Sequence, residues 1–431
     1  MKHFFYLSIL TASLLAESLD EVVDYALTHS TMIKQTKAGQ ELAKLKHKQS
    51  KAQRYGEFDI VGNYTHYNLP RTLAPLTPST IAAGQPITTT KDLYSAGVTY
   101  NVPLFTGFAQ TRNVEIEHLA KEMADVKLKL TKEQLVYNVR SLYVTILSLR
   151  EMLQAQKAYT KALFKLHEQI RYEVSLGKKA KIDLYKADAS LQGSRTQEQV
   201  IEANLNITKA TLASLVGKKI DRFAAVPIDV RKNSYDMQEL QQTLVNLKKV
   251  EAETLSVEKA EKMVSKTESV RYPQVGLSAY LGKNYGEDLK SNDWDDETLW
   301  QAGLNVKYNV LDFGQSAINI QKAKIAKMQA VLHKEQTLLD LQKELQTAIS
   351  KISQNRAVYV GNKAAHRLSA ESEKIEKVRY EHGASTLNDL LLAQSRTQQA
   401  KAKTIQSKYD YQKSIYYLDY LLEKGSTDEN K

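Results

Sequence analysis

Residues 94–105, with the sequence YSAGVTYNVPLF, decide the fold. Apolar or aromatic side chains alternate here with small or polar ones, so a β-strand formed by this stretch has one apolar and one polar face. A tilted strand of about ten residues is long enough to cross a bilayer. The pattern therefore predicts a transmembrane β-strand. Its apolar face consists of Tyr94, Ala96, Val98, Tyr100 and Val102.

The same pattern belongs to an internal duplication of the chain. Residues 100–105 (YNVPLF) match residues 308–313 (YNVLDF), and residues 171–173 and 379–381 both read Arg-Tyr-Glu, each pair being displaced by 208 positions. Self-similarity at a fixed displacement indicates two copies of one structural unit. In each copy a glycine is followed six residues later by an aspartate, namely Gly177 with Asp183 and Gly383 with Asp389.

Each copy contains two strand-like runs with period-2 alternation. They are predicted at about residues 58–67 and 94–104 in the first copy, and at about 274–282 and 299–310 in the second. Long polar connections, 68–92 and 283–297, join the two runs of each pair. The alternation assigns Val98, Tyr100, Leu304 and Tyr308 to the lipid-facing side of the strands.

Long helices follow the strands. Residues 109–176 contain neither Gly nor Pro, and residues 315–382 contain only Gly361, so each stretch is predicted to be one helix with apolar residues at coiled-coil spacing. Shorter helices are predicted at 180–217 and 385–424, and each copy opens with a helical segment, 19–53 or 237–269. A linker, 218–236, joins the two structural repeats, 19–217 and 237–424.

The two ends of the chain are predicted to lie outside the repeats. A basic start and an apolar run, followed by small residues, predict a cleaved signal peptide over residues 1–18. Residues 425–431 are predicted to be a flexible tail. The chain is therefore expected to be exported.

Composition and motifs exclude several classes of function. The absence of cysteine excludes disulfides, thiolate nucleophiles and Cys zinc sites. The nine histidines are scattered, and neither a phosphate-binding loop nor a Gly-x-Ser-x-Gly motif occurs. The formal charge of +11 is spread along the chain without an aromatic-basic platform, which argues against nucleic-acid binding. No enzyme activity, cofactor or metal site is predicted.

The number of predicted strands implies that several copies of the chain assemble. Four amphipathic strands cannot close a barrel, and unpaired strand edges are not tolerated in lipid. Two copies supply eight strands, too few for an open lumen, whereas three supply twelve. The predicted fold is mainly α with a transmembrane β portion. A duplicated helix–strand–strand–helix–helix unit shares, in a trimer, a 12-stranded β-barrel and a long coiled-coil tunnel.

Several short motifs, in this order, resemble those of the TolC-like outer membrane efflux proteins. They are the start at Ser18-Leu19, the strand exit at 102–107 (VPLFTG), the paired Arg-Tyr-Glu motifs and the ending from Leu212 to Gly217. The resemblance covers nearly all of the predicted mature chain. It implies a trimeric channel in the outer membrane of a Gram-negative bacterium, with most of its mass in the periplasm.

The resemblance also implies partners and cargo. A periplasmic membrane-fusion adaptor and an inner-membrane pump of the RND, ABC or MFS type would deliver drugs, other toxic compounds or, in type I secretion, proteins. The residues themselves leave the cargo open.

In the family, the turns between long and shorter helices form the periplasmic entrance, where an acidic ring narrows the pore. By motif position Asp389 would be the ring carboxylate, and Tyr380 and Asp183 would belong to contacts that close the tip. Leu392 stands where some relatives have a second Asp, and Ser385 where some have an Arg. Either Lys178, Lys179 or Lys181 substitutes for this Arg, or the contacts that close the tip differ. The turns are at Gly177 and Gly383, and the repeated motif contributes Arg171, Tyr172 and Arg379.

Two other classes of protein remain as alternatives from the residues alone. An exported coiled-coil fibre or adhesin would explain the apolar spacing of the helices but leaves the alternating strands unexplained. An exported helical enzyme would need a catalytic cluster, and the motifs provide none.

Overall fold

A computed structural model of the chain describes residues 16–84, 87–230 and 235–425. The described chain divides into two compact units. One, here the helical unit, contains the residues up to 38 together with 126–251 and 336 onward. The other, here the sheet unit, contains residues 39–125 and 252–335.

The elements follow one another in the predicted helix–strand–strand–helix–helix order, twice, so the predicted mainly helical, duplicated fold class is confirmed. None of the described helices combines the length and the hydropathy that a membrane-spanning helix requires. In chain order the elements are α1 (Leu19–His29), α2 (Thr31–Ala52), β1 (Glu57–Thr72), α3 (Pro78–Ala82), β2 (Thr89–Phe105), α4 (Ala109–Ser175), α5 (Lys181–Val216), α6 (Met237–Leu244), α7 (Lys248–Glu268), β3 (Gln274–Glu287), β4 (Trp294–Lys307), α8 (Gln315–Glu381) and α9 (Leu387–Leu421).

The four strands form one antiparallel sheet in the order β1-β2-β3-β4. The pairing register aligns Ile60, Val98, Leu281 and Trp300 in one row across the sheet. Because side chains alternate along each strand, the neighbouring row, Asp59, Thr99, Tyr280 and Gln301, lies on the opposite face. The sheet therefore has one apolar face and one predominantly polar face.

The strands extend further into the predicted loops than alternation indicated. β1 continues to Thr72 although it contains Pro70, because the ladder shifts register between His66 and Arg71 on an outer strand, where a missing donor is tolerated. The loops shorten to residues 73–88 and 288–293. The alternating pattern ends where polar and acidic residues begin, whereas backbone pairing continues beyond it.

The fourth strand corrects one predicted position. β4 ends at Lys307, so Tyr308, predicted to be a strand residue facing lipid, lies beyond the strand and is exposed. Lys307 pairs with Gln274, which follows Pro273, and no residue of β3 remains to pair with Tyr308. The chain then turns at Asp312, whose carboxylate accepts hydrogen bonds from the backbone N–H groups of Gly314 and Ser316 and starts α8.

Each predicted opening helix is divided in two. The first breaks at Ser30, which has an extended backbone and is buried. The second breaks at residues 245–247, where both carboxylate oxygens of Glu423 accept the backbone N–H groups of Lys248 and Lys249. This contact caps α7 from a position far away in the sequence, so local helix propensity did not reveal it.

The helical unit contains three apolar clusters. The largest packs α1 and the predicted linker against α4 and α5, and in it the fully buried Tyr143 donates its hydroxyl hydrogen to the backbone oxygens of Glu17 (2.7 Å) and Ala224 (2.9 Å). Ile220 and Phe223 of the predicted linker are buried there as well. The described part of the linker is thus part of the core.

The predicted ends differ in how much of them is described. Residues 1–15 of the predicted signal peptide and 426–431 of the predicted tail lie outside the described residues. Glu17, placed by the prediction in the signal peptide, forms a β-bridge with Phe223. Ser18 caps α1 through reciprocal hydrogen bonds with Glu21. The fold therefore takes in residues that precede the predicted boundary at residue 19.

Candidate functional site: the paired helix turns and the apolar sheet face

The two long helices end in the same backbone motif. At the end of α4 the N–H of Gly177 bonds to the carbonyl of Val174 (3.0 Å), and the N–H of Lys178 bonds to the carbonyl of Glu173 (2.9 Å). The corresponding bonds at the end of α8 run from Gly383 to Tyr380 and from the next residue to Arg379. Both glycines have a positive φ, +70° and +72°, as this helix ending requires.

The helices that follow the turns begin differently. Thr386 and Asp389 form a capping box at the start of α9, in which the N–H and hydroxyl of Thr386 donate to Asp389 Oδ2 at 3.1 and 2.7 Å. At the start of α5 the capping position is Ala180, which has no side-chain acceptor. The carboxylate of Asp183 makes no hydrogen bond or ion pair with another described residue. Its predicted role in closing the tip stays a prediction.

Asp389 is held in its charged form. The Thr386 hydroxyl, the Thr386 backbone N–H and, more weakly, the Arg379 guanidinium lower the pKa of the Asp389 carboxyl below its usual value. The side chain is exposed, so this charge acts on the solvent in front of the turn. The turn after α8 therefore presents a fixed negative charge to its surroundings.

A cation–aromatic contact joins the two turns. Lys179, just after the first turn, places Nζ 4.0 Å from the ring centroid of Tyr380 and donates a hydrogen bond to the tyrosine hydroxyl. The same Nζ lies 3.6 Å from Glu173 Oε2. Among the three lysines proposed from sequence as substitutes for a missing arginine, the structure places Lys179 against Tyr380. We call the Lys179–Tyr380 contact the tip contact.

An apolar cluster lies beside the tip contact. It combines residues of both copies, so the first and second halves share one core at their turns. Tyr380 packs against this cluster and is half-buried. The buried members are Leu163, Ile170, Ala187, Leu191, Leu387 and Leu391.

The remaining residues of the repeated motif do not join the tip contact. Arg171 pairs with Glu168 within its own helix (2.6 Å), and Tyr172 is exposed. Arg379 pairs with Glu376 (3.1 Å) and donates to the Ala384 carbonyl, which closes its own turn. Identical sequence motifs therefore occupy different environments in the two halves.

Sequence reasoning missed two members of this site. Thr386 was not singled out, although a Thr three residues before an Asp at a helix start is the pattern of a capping box. Glu173 was noted only as part of the Arg-Tyr-Glu repeat. Its contact with Lys179 was not predicted, because the sequence did not distinguish Lys179 from Lys178 and Lys181. The tip contact connects residues some 200 positions apart, and no local pattern indicates such a pair.

The sheet unit presents the second functional surface, its apolar face. Ile60 is 87% and Trp300 77% exposed, and Leu304 is exposed on the same face. Val98 lies in the row of Ile60, and Tyr100 in the row of Phe58. Exposed contiguous apolar surface of this kind marks a site that contacts another apolar phase.

Aromatic rings mark both ends of the apolar face. Near the loop ends of the strands, Tyr94 lies 4.8 Å from Tyr64 and 5.4 Å from Trp294, measured between ring centroids. Near the opposite ends Phe58 lies 6.4 Å from Tyr100. Tyrosine and tryptophan at both borders of an apolar band are typical of strands that cross a membrane.

The described residues contain no group of three or more His, Asp or Glu side chains placed to hold a metal ion. The candidate site instead consists of three features. A carboxylate lies at one turn, a cation–aromatic pair joins both turns, and an apolar face covers one side of the sheet.

Comparison with known proteins identifies similar chains. The family model described as outer membrane efflux protein matches residues 22–218 and 240–422, once for each half. Outer membrane protein TolC of Vibrio cholerae is 22% identical over 339 residues, covering 76% of each chain. Nodulation protein T of Rhizobium leguminosarum bv. trifolii is 21% identical over 316 residues, and the match spans 68% of this chain but 65% of that protein.

Solved structures share the fold. The Campylobacter jejuni CmeC outer membrane channel superposes with a TM-score of 0.78 at 17% identity, covering 96% of this chain and 87% of the other. The outer membrane protein VceC from Vibrio cholerae gives a TM-score of 0.75 at 17% identity, covering 94% and 96%. The resemblance inferred from short motifs is thus confirmed at the level of family and fold.

The turn glycines generate a stability prediction with a matched control. A Cβ at Gly177 has open space, so Gly177→Ala is opposed only by the positive φ and should destabilise the protein by about 1–2 kcal/mol. Gly193, inside α5, also has open space but a helical backbone, so Gly193→Ala should stabilise by about 0.5–1 kcal/mol. Urea unfolding followed by circular dichroism measures both. If the urea midpoints of the two variants shift in the same direction, the positive φ assigned to Gly177 is contradicted.

Proposed function

The chain belongs to the outer membrane efflux protein family, and we propose that it forms a passive channel through the outer membrane of a Gram-negative bacterium. The channel conducts small toxic molecules or secreted proteins outward, and most of its mass lies in the periplasm. The single observation that carries the proposal is the exposed apolar face of the four-stranded sheet, backed by a polar face.

The sheet supports a trimer. Among the described residues, β1 and β4 each have a partner strand on one side only, so their outer edges keep free backbone donors and acceptors. In lipid these groups need partners, and further copies of the same sheet supply them. Three copies provide twelve strands, enough to surround a lumen, with the apolar faces outward and the polar faces inward.

The alternative of a fibre or adhesin without a pore has less support. It would leave the apolar face of the sheet in water, where contiguous apolar surface of this extent favours association. A channel places this surface in lipid.

The turns supply the gate in this proposal. Asp389 from three copies forms a ring of negative charge that attracts cations to the periplasmic opening. The tip contact ties the turn after α4 to the end of α8 in each copy, and restrains the two from separating. Asp183, at the position in the first copy equivalent to Asp389, adds a second, less constrained carboxylate near the same opening.

Energy and cargo come from partners. The family relationship supports a periplasmic membrane-fusion adaptor that contacts the helical tip and an inner-membrane pump of the RND, ABC or MFS type. The channel itself takes part as a homotrimer and performs no catalysis. Its contribution is a conduit whose opening depends on contacts at the tip.

The lipid-facing assignment is tested on pairs of neighbouring residues, one pair on β2 and one on β4. Val98→Arg places a charge on the apolar face, at a cost of about 2–4 kcal/mol near the bilayer midplane, and should impair membrane assembly, as should Leu304→Arg. Thr99→Arg and Asn305→Arg lie on the opposite face and should assemble normally. Heat-resistant trimer in the outer-membrane fraction is the readout. Normal assembly of all four variants would refute the proposed membrane-facing side.

The acidic ring is tested in planar bilayers through the reversal potential. Asp389→Asn removes the charge, keeps a capping acceptor and should reduce the preference for cations. The contacts with Thr386 lower the pKa of Asp389, so the wild-type preference should persist to a lower pH than in a variant that lacks these contacts.

The matched variant Thr386→Ala keeps the carboxylate but removes the side-chain hydrogen bond that lowers its pKa most. Its cation preference should therefore be lost at a higher pH than in the wild type. An unchanged reversal potential in Asp389→Asn would exclude Asp389 from the constriction.

The restraint at the tip is tested by conductance. Lys179→Met removes the cation from Tyr380 and from Glu173, interactions worth about 1–3 kcal/mol together, and should increase the open fraction. Tyr380→Phe keeps the ring and should have a smaller effect. Lys178→Met, at an exposed neighbouring lysine, is the control. Equal single-channel behaviour of the Lys178 and Lys179 variants would argue against the restraint.

A further inference from the structure

Two basic stretches without any acidic residue flank the outer strands of the sheet. Residues 42–56 lead through the end of α2 to the start of β1, and residues 313–334 begin directly after Asp312, six residues beyond the end of β4, and run through the start of α8. Residues 345–370 of α8 and 390–409 of α9 also lack acidic residues, so the position beside the outer strands is what distinguishes the two stretches. The basic residues of the two stretches are Lys44, Lys46, Lys48, Lys51, Arg54, Lys322, Lys324, Lys327 and Lys334.

Acidic residues that form ion pairs with lysines lie on α4 and α7, the helices that adjoin the two central strands. Glu115 of α4 lies 3.0 Å from Lys262 of α7, measured from Oε2 to Nζ. Glu261 of α7 lies 3.3 Å from Lys327 of α8. Charges that face the interior of the sheet unit are therefore paired within it.

Two lysines of the basic stretches lie on exposed apolar helix faces instead. Lys48 follows the exposed Leu45 by three residues, which places both on one side of α2. Lys322 lies between Ile318 and Ile325, both exposed, on one side of α8. Neither lysine makes an ion pair with a described residue.

Two further cations lie at the corners of the sheet. Arg54 is in the 3-10 turn that precedes β1, and Lys307 is the last residue of β4; both are exposed and make no ion pair in the described parts of the chain. The acidic residues near these corners are Glu57 and Asp59 at the start of β1 and Asp312 between β4 and α8. These three carboxylates are fewer than the eight basic residues of 44–59 and 307–324, so both corners keep an excess of positive charge.

The next step rests on the proposed function. If β4 of one copy pairs with β1 of the next, Lys307 and Lys322 of one copy lie beside Lys48 and Arg54 of its neighbour. Lys48 lies about 6 Å and Lys322 about 10 Å along its helix from the end nearest the sheet. Lys48 therefore lies within the headgroup layer, roughly 5–8 Å deep on each side of the hydrocarbon. Lys322 lies just beyond this layer, and its long side chain reaches back into it. The seam between copies would then concentrate positive charge at the depth of lipid phosphates.

We propose that each seam between neighbouring copies binds the phosphate of an anionic phospholipid headgroup through these four cations. The apolar surroundings favour a lipid over a free phosphate ion. Val310, Leu311 and Phe313, between β4 and α8, are all exposed, Phe313 to 90%, and would contact the acyl chains below the headgroup. The lipid bridges two copies and offsets the repulsion between their like charges.

The experiment measures trimer dissociation on heating, with purified full-length protein in detergent. The additions are phosphatidylglycerol, phosphatidylcholine or inorganic phosphate. Phosphatidylglycerol should raise the dissociation temperature of the wild type, and the other two should not. In the double variant Lys48→Gln/Lys322→Gln this rise should be largely lost, while the dissociation temperature without anionic lipid should equal or exceed that of the wild type.

The control variant is Lys91→Gln/Lys290→Gln, which removes two exposed lysines from the loop side of the sheet and should keep the full response. Equal stabilisation by phosphatidylcholine or by inorganic phosphate would overturn the inference, as would a full response in Lys48→Gln/Lys322→Gln. In both cases a trimer still forms, so the proposed channel stands. Protein that forms no trimer under any condition would overturn both proposals.

Discussion

Backbone hydrogen bonding at the outer edges of the sheet constrains everything else in this molecule. Within the described sheet the central strands β2 and β3 are paired on both sides, whereas β1 and β4 are each paired on one side and expose a row of backbone donors and acceptors on the other. The apolar face next to these edges favours lipid, and lipid supplies no hydrogen bonds. The apolar face can lie in lipid with its edge strands hydrogen-bonded only when the sheets of several copies pair edge to edge into a closed barrel. The proposed oligomer, the polar lumen and the charged seams all follow from this constraint.

The duplication has produced two halves that are alike in backbone and different in chemistry. Both long helices end in the same glycine turn, yet only the second turn leads into a capping box that holds an aspartate in its charged form. Tyr172 is exposed, whereas Tyr380, its counterpart in the Arg-Tyr-Glu motif, packs in a shared core and contacts a lysine of the first half. The first copy has two more residues between this motif and the turn glycine, so Val174 occupies the place of Tyr380 in the first turn. The repeated sequence provides the same backbone turn twice, and divergence at single positions, such as Ala180 against Thr386, makes the two turns chemically different, which the proposed gate requires.

Much of the fold was predictable because its strongest signals are periodic. Alternation located all four strands, and long stretches almost free of Gly and Pro located both long helices to within about two residues at each end. The predictions were wrong where contacts with residues distant in the sequence determine the local structure. Tyr308 was assigned to a strand because its neighbours alternate, but the partner strand begins at Gln274 and leaves it unpaired. The opening helices were predicted to be continuous, but a carboxylate from Glu423 stabilises the start of α7.

At the candidate site the motifs indicated the two glycine turns and the Asp389 carboxylate, but they did not decide which lysine contacts Tyr380.

The sequence by itself determined the element order, the duplication, the two faces of the sheet and the glycine turns, since each depends on residue types at short spacing. Tertiary structure alone decided that Lys179 contacts Tyr380, that the linker residues Ile220 and Phe223 are buried, and that Lys48 and Lys322 have no acidic partner in the described part of the chain. The physical reason is the same in each case. Such contacts join residues far apart in the chain, and their energy depends on distances that exist only after the helices have packed.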